Sequence, residues 1–295
     1  MFQRVLICTD LNDGLQRLLR FVSSLAAGGV ESVTFLHVVP LSNEQIPRED
    51  VDQTQAVRDR LSALLTDVPA GLEVNIEVVS GKAVESVLAI SKNHHSDLLI
   101  TGMPRRNVLN EKLFGSNTMS ICQRVGVPVM TLRPQLIATL TDEELDLRCR
   151  HLLQQLLIPY DGSTAGRYLL DQIKQSYLQG KISGVKACHL CAVVPDISRD
   201  ENLTRLERQQ AEQMLHSVKT DLETLGLQVS ARVLHGDPVV KTLEAAQDLS
   251  VSAIAIASDS LGKLREWSAP SFAGEVLRRS WHPVIYFPMS RSPCC

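Results

Sequence analysis

Val33-Thr34-Phe35-Leu36-His37-Val38-Val39-Pro40 is a nearly continuous apolar run ended by proline, and its last three residues return as Val193-Val194-Pro195. From residue 38 to residue 193 the displacement is 155. Gly81 returns as Gly236, and Val127-Pro128-Val129 is answered by His282-Pro283-Val284, at the same displacement. One register held over three separate segments marks an internal repeat. Near the start of each half the displacement is 151, because Leu6-Ile7-Cys8-Thr9-Asp10 parallels Leu157-Ile158-Pro159-Tyr160-Asp161. The second copy therefore carries four extra residues, expected in its first helix or the loop beside it.

Runs such as Val5-Leu6-Ile7-Cys8, Val33-Thr34-Phe35-Leu36 and Leu98-Leu99-Ile100 lack the polar alternation of a half-exposed strand. They suit strands covered on both faces, as in parallel sheets. Between them lie helical patterns: residues 83–93 put Val84, Val87 and Leu88 on one face, and the equivalent segment opens with Asp237-Pro238, an N-cap followed by proline at the first helical position. Each copy thus reads β-α-β-α-β-α-β-α-β. The fold class expected is α/β, with two tandem doubly wound domains, each a five-stranded mostly parallel sheet flanked by helices. Ligands of such sheets bind beyond the carboxyl ends of the strands. Domain 1 is expected over residues 1–133, a linker over 134–150 and domain 2 over 151–295. Arg133-Pro134 stops the last strand of the first copy, and Thr141-Asp142-Glu143-Glu144 forms a capping box that starts a linker helix.

With 295 residues the chain is long enough for two cores. Its formal net charge of -3 and scattered Lys and Arg argue against nucleic acid as a partner. No apolar run approaches a membrane span, and Met1-Phe2-Gln3-Arg4 leads straight into a strand, so a cytoplasmic location is expected. Seven cysteines at irregular spacing fit free thiols better than a disulfide framework.

After Leu98-Leu99-Ile100-Thr101 come Gly102-Met103-Pro104-Arg105, nine residues, and then Gly115-Ser116-Asn117 opening a helix. This resembles the motif of the universal stress protein family: Gly, two residues, Gly, nine residues, Gly, then Ser or Thr. Arg105 stands where the second glycine belongs. The resemblance extends to Asp10 at the end of the first strand, to His37-Val38 at the end of the second and to the Gly81 turn, and so covers most of both halves. It implies an adenine nucleotide alpha hydrolase-like fold. In members that bind ATP, positions matching Asp10 and Val38 line the adenosine end, beside Cys8 and Thr9. Positions matching Gly102, Arg105, Gly115, Ser116 and Asn117 lie at the phosphates. Cys8 replaces a proline often found there. Independently of the family, glycines at a strand end let backbone N–H groups approach phosphate oxygens, and a helix N-terminus favours anions. Arg105 either grips phosphate or fills its place. The plain alternative is that Gly102 ends a strand and Ser116 caps a helix.

In the second copy Gly102 becomes Ala257, Arg105 becomes Ser260, Gly115 becomes Pro270 and Ser116 becomes Ser271, while Pro159, Asp161 and Val193 keep family-like positions. That copy is expected to have lost the family's mode of ATP binding, with Gly262 or Ser258, Asp259 and Ser260 left as a weak alternative polar site. Cys188 and Cys191 fall on opposite faces of a strand, which argues against zinc or dithiol chemistry. His94-His95 closes a helix with no nearby carboxylate or cysteine pattern that would complete a metal site. Cys294-Cys295 lacks a prenylation pattern.

The expected function is that of a stress-response or regulatory protein binding ATP or another adenine nucleotide in domain 1, with or without Mg. At most slow ATP turnover, no catalytic residue and no metal ligand are expected. Expected partners are the nucleotide and a protein yet to be identified. The two copies are expected to pair within the chain through residues 128–132 and 283–287, as family members dimerise, with homodimers as a further step. The rival reading is a scaffold or signalling module without nucleotide, in which Arg105 fills the site. A phosphotransfer or receiver-like role for Asp10 is a third, opposed by the single acid that Thr9-Asp10 supplies.

Overall fold

The computed structural model describes residues 2–41, 49–103, 116–179, 184–196, 201–258 and 271–289. The chain divides into two compact units, Phe2–Leu152 and a second that begins at Leu153. In the first unit, strands β1 (Arg4–Cys8), β2 (Ser32–Val39), β3 (Glu73–Ser80), β4 (Leu98–Gly102) and β5 (Val129–Leu132) lie in the order β3-β2-β1-β4-β5. Each neighbouring pair is parallel. The predicted runs form these strands because both faces are covered: Leu6, Ile7, Phe35, Leu98, Leu99, Val129 and Met130 are buried on one face or the other.

A 3-10 segment (Leu15–Phe21) running into α1 (Val22–Ala27) connects β1 to β2, and α2 (Val51–Ser62) connects β2 to β3. Helix α3 (Ala83–Asn93) returns the chain to β4, and α4 (Ser116–Arg124) leads to β5. Right-handed crossovers put α1 and α2 on one face of the sheet and α3 and α4 on the other, and α3 packs on α4. Strand order reverses between β1 and β4, which is the switch point where such a sheet opens a crevice.

Pro134 stops β5 and opens α5 (Pro134–Ile137), followed by α6 (Asp142–His151). The predicted capping box forms with a one-residue displacement. Thr141 Oγ1 accepts the Glu144 N–H at 3.3 Å, while the Glu144 carboxylate accepts the N–H of Leu140 at 3.2 Å. This segment packs on the first unit. Gly28, after the end of α1, is so close that a Cβ there would lie 2.9 Å from the Arg150 carbonyl oxygen. Ser24 Oγ donates to the Asp146 carboxylate, and Arg17 Nη1 donates to the Ile137 carbonyl at 2.8 Å.

The second unit repeats the plan with β6 (Gln155–Pro159), β7 (Ala187–Val194), β8 (Gln228–His235), β9 (Ala253–Ser258) and β10 (Val284–Pro288), in the order β8-β7-β6-β9-β10. Here too each neighbouring pair is parallel. The helices are α7 (Thr164–Leu178), α8 (Glu201–Glu223), α9 (Pro238–Asp248) and α10 (Phe272–Arg279). The starts of β2 to β5 and of β7 to β10 differ by 155, whereas β1 and β6 differ by 151. The difference arises between the first and second strands, where α7 with 15 residues replaces the broken 3-10 segment and six-residue α1. Asp237 caps α9 as its sequence suggests, accepting the Val240 N–H at 2.8 Å with Pro238 in the first turn.

Candidate functional site

Strands β1 and β4 run side by side with Cys8 opposite Thr101, so the chain leaves β1 at Thr9 next to the point where β4 ends at Gly102. The turn after β1 is built by its own polar side chains. Asp10 is exposed, and its Oδ1 accepts the N–H groups of Asn12 and Asp13, both at 2.8 Å. The Thr9 hydroxyl accepts the N–H of Leu11 at 3.0 Å and donates to Asp13 Oδ1 at 2.8 Å. Leu11 (φ 65) and Gly14 (φ 88) take left-handed conformations. At Leu11 that backbone is held by the Thr9 hydroxyl on one side and by Gln16 Nε2 donating to its carbonyl on the other.

Asp13 is the residue the sequence reading passed over. The turn folds its side chain back onto the end of β4, where a Cβ on Gly102 would lie 2.5 Å from Asp13 Cβ and 2.7 Å from its Oδ2. Gly102 therefore does more than end a strand: its missing side chain makes room for a buried carboxylate. Asp13 Oδ1 accepts from Thr9 Oγ1 and from the Leu15 N–H at 2.9 Å; among the described residues Oδ2 accepts the Asp10 N–H, at 3.3 Å. Burial pushes the Asp13 carboxyl above the ordinary aspartate range, against the pull of the Leu15 and Thr9 hydrogen bonds, and the charge of Asp10 adds to the rise. Burial, and then Asp13, drive the half-buried Cys8 thiol well above its usual range. This makes Cys8 a poor nucleophile. The strand end thus brings together two acids where Thr9-Asp10 alone supplied one, although both carboxylates are engaged by backbone N–H groups. A signal was present: Asp10, Asn12, Asp13 and Gly14 are turn-forming residue types clustered at a strand end.

The end of β2 joins the same lip. Thr9 N–H donates to the Leu36 carbonyl at 3.0 Å, and His37 Nδ1 lies 2.9 Å from the Thr9 carbonyl. A carbonyl only accepts, so Nδ1 carries the ring proton. Val38, half-buried, follows directly and pairs with Val79. Beyond β4, Met103 N–H donates to the Leu132 carbonyl at 2.9 Å, extending the β4–β5 ladder by one residue. Ser116 and Asn117 are the first two residues of α4, whose opening N–H groups have no partner inside the helix. Arg105 and Gly115 lie outside the described residues. The structure thus brings Cys8, Thr9, Asp10, Val38 and Gly102 to one edge, that of the carboxyl ends of β1, β2 and β4.

In the second unit Tyr160 N–H donates to the Cys191 carbonyl at 2.8 Å, repeating the Thr9 contact, but the turn that follows is different. Asp161 Oδ1 accepts the Ser163 N–H at 2.9 Å, and Ser163 caps α7 by accepting the Gly166 N–H at 3.1 Å. Tyr160 is buried with its ring against Gly166, and Met214 of α8 sits 2.9 Å from the place of a Gly162 Cβ. Ala257 lies in β9, opposite Phe287, and Ser271 caps α10 by accepting the Gly274 N–H at 3.1 Å. Asp259, Ser260, Gly262 and Pro270 lie outside the described residues, as do Cys294 and Cys295.

Cys188 and Cys191 are both buried free thiols, each pushed up to about 12 by burial. His94 Nε2 lies 3.1 Å from Glu77 Oε1 of β3. Residues distant along the chain meet there because α3 crosses back over the sheet. Among the described residues no group of three or more His, Cys, Asp or Glu is placed to hold a metal ion, and no helix is long and apolar enough to cross a membrane.

The chain matches the universal stress protein family over residues 1–133 and again over 153–288. It is 24% identical over 130 residues to the universal stress protein Slr1230 of Synechocystis sp., an alignment covering 44% of this chain and 42% of that protein. It therefore spans less than half the length of that curated relative. A universal stress protein from Archaeoglobus fulgidus has a similar fold over 97% of this chain and 98% of its own, with a TM-score of 0.65 and 18% identity. A further structure, of a putative universal stress protein from Pseudomonas aeruginosa, covers 97% and 93%, with a TM-score of 0.59 and 14% identity. These two solved structures share the fold of this chain. The chain belongs to the universal stress protein family and carries the family's domain twice.

Proposed function

We propose that this protein is a stress-response or regulatory member of its family that binds an adenine nucleotide, ATP in the first instance, in the first domain. The observation that carries the reading is the convergence at the β1–β4 switch point of Asp10, the His37-Val38 end of β2 and Gly102. Helix α4 opens after the loop that leaves β4, and a helix N-terminus favours anionic groups. In this reading Asp10 and Val38, with Cys8 and Thr9, lie at the adenosine end, and Gly115, Ser116 and Asn117 take the phosphates. Gly102 and Arg105 are assigned to the phosphates as well. The spacing from Gly102 to Gly115 and Ser116, shared with the family's motif, supports the same assignment.

The second domain is proposed to have lost this mode of binding. Ala257 and Pro270 replace two loop glycines, proline removes an N–H donor, and Tyr160 and Met214 pack on the turn after β6. Calorimetric titration of the purified chain with ATP, with and without Mg, tests the reading. Binding by the wild type that is lost in Gly115→Val supports it. Binding that emerges only in Arg105→Gly means that the arginine fills the crevice, and a scaffold role without nucleotide takes its place.

A further inference from the structure

Strands β6, β7 and β8 lie side by side, and in their shared register His189 of β7 stands opposite Ser230 of β8. Residues opposite each other in a ladder point to the same face, and here the side chains meet: His189 Nδ1 lies 2.7 Å from Ser230 Oγ. The other ring nitrogen, Nε2, lies 3.3 Å from Gln155 Oε1 of β6. An amide oxygen only accepts, so Nε2 carries the ring proton and Nδ1 accepts the proton of the Ser230 hydroxyl. Burial, and then the charge of Arg232, hold the His189 imidazole below its ordinary range, so the ring is neutral near pH 7 and can act as a base. Ser230 and His189 are both half-buried, within reach of solvent.

The fold does not require this arrangement. At the same places in the first domain stand Arg4, Thr34, Asn75 and Glu77, where Arg4 pairs with Glu73 and Glu77 with His94. A hydroxyl bonded to a neutral imidazole, whose far nitrogen is held by a third group, is the arrangement of an activated nucleophile. The edge of the sheet adds a donor. Gln228 and Gly236 N–H groups donate to the Lys186 and Val194 carbonyls of β7. Successive N–H groups of a strand point to alternate sides, so those of Ser230 and Arg232 also face β7, and that of Ala231 faces away from it. Strand β8 is last in the strand order, and among the described residues no further strand pairs with it on that side. Arg232 shares the face of Ser230, is exposed, and among the described residues forms no ion pair with an acid.

We propose that Ser230 and His189 form an acyl-transfer site for small carboxylic esters bearing an anionic group. Gln155 holds the imidazole, the Ala231 N–H receives the developing oxyanion, and Arg232 receives the anionic group. Ser230 Oγ attacks the ester carbonyl carbon as its proton passes to His189 Nδ1. Collapse of the tetrahedral oxyanion breaks the bond to the leaving oxygen, which takes that proton and departs as the alcohol. Water, giving a proton to the same nitrogen, then attacks acyl-Ser230 and releases the carboxylic acid, and the proton returns to Ser230 Oγ. The site is independent of the nucleotide crevice, because both residues are third in their strands, towards the amino ends.

The full chain is treated with a fluorophosphonate, which phosphonylates an activated serine with loss of fluoride, and peptide mass spectrometry locates the adduct. Labelling is expected at Ser230, and about a hundredfold slower or more in His189→Ala, the scale of a general base. Gln155→Leu is expected to slow labelling, and Gln155→Glu, which restores an acceptor for the Nε2 proton, to recover it. The wild type is expected to hydrolyse the acetyl ester of 4-acetoxybenzoate in preference to that of its methyl ester. The ratio of the two kcat/KM values should fall about threefold in Arg232→Gln, the scale of an exposed ion pair. Circular dichroism checks that each variant is folded. The proposal is overturned if wild-type Ser230 takes no label, if folded His189→Ala labels as fast, or if neither ester is turned over. A ratio unmoved in Arg232→Gln overturns the assignment of an anionic substrate.

Discussion

Replacing Gly102 by alanine adds one methyl group at a site with no room for it. The new Cβ would lie 2.5 Å from Asp13 Cβ, 2.8 Å from its Cγ and 2.7 Å from Oδ2. Gly102 is not among the positive-φ residues, so the backbone tolerates alanine and the whole effect comes from this contact. The Asp13 side chain must leave, giving up hydrogen bonds from Thr9, Leu15 and Asp10. Hydrogen bonds to charged groups contribute about 1.5–3 kcal/mol each. Return of the carboxylate to water offsets much of that loss, because burial is the first cause of its raised pKa. Overpacking by a methylene costs about 1–3 kcal/mol where neighbours cannot shift. The balance is a destabilisation of about 2–4 kcal/mol, or roughly 5–12 °C in the thermal midpoint of a domain this size. Urea unfolding followed by far-ultraviolet circular dichroism measures it. Hydrogen exchange over residues 9–16 localises it, since the turn loses its central acceptor. The double variant completes the cycle: with Asp13→Gly in the background the clashing Cβ is gone, and Gly102→Ala should cost less than about 1 kcal/mol. A Gly102→Ala protein within about 0.5 kcal/mol of wild type, or one equally damaged whether or not Asp13 is present, would refute the packing argument.

The same carboxyl carries a pH prediction. Its folded pKa is raised above the ordinary value of 3.8, so its contribution to stability is full below that value and is lost as pH rises through the folded pKa. Asparagine cannot titrate; the stability of Asp13→Asn relative to wild type should therefore improve between about pH 4 and about pH 7.5, and a difference that stays constant would contradict the burial of a titrating group. Asp97, also raised by burial, is common to both proteins and cancels. On β4 itself, the buried Thr101 hydroxyl has no hydrogen-bond partner among the described residues. Thr101→Val keeps the shape and removes an unsatisfied polar atom, so the urea midpoint should rise by the equivalent of about 1 kcal/mol, whereas a clear loss of stability would mean that the hydroxyl has a partner in solution.

Several parts of this protein could be read from residue order alone. The apolar runs at Val33–Leu36 and Leu98–Ile100 have no polar alternation, and only strands covered on both faces need such runs; parallel pairing and flanking helices follow from that. Pro134, Thr141 and Asp237 mark helix starts because capping is settled within three or four residues. The repeat was legible because displacement is a property of the sequence, down to the four residues by which the two β-α-β openings differ.

The partners of the lip residues were not legible. Gly102 looked like a bare stretch of backbone, and its open side is taken by a carboxylate 89 positions away, brought there by the parallel pairing of β1 with β4. Glu77 and His94 met in the same way, across a helix that reverses over the sheet. Local order determined which segments are strands, helices and turns, since those choices depend on near neighbours and on periodicity. Tertiary structure decided that a turn aspartate would be buried against a distant glycine, because burial and the pKa shift it causes depend on what the folded chain places around a group, and no spacing in the sequence encodes that.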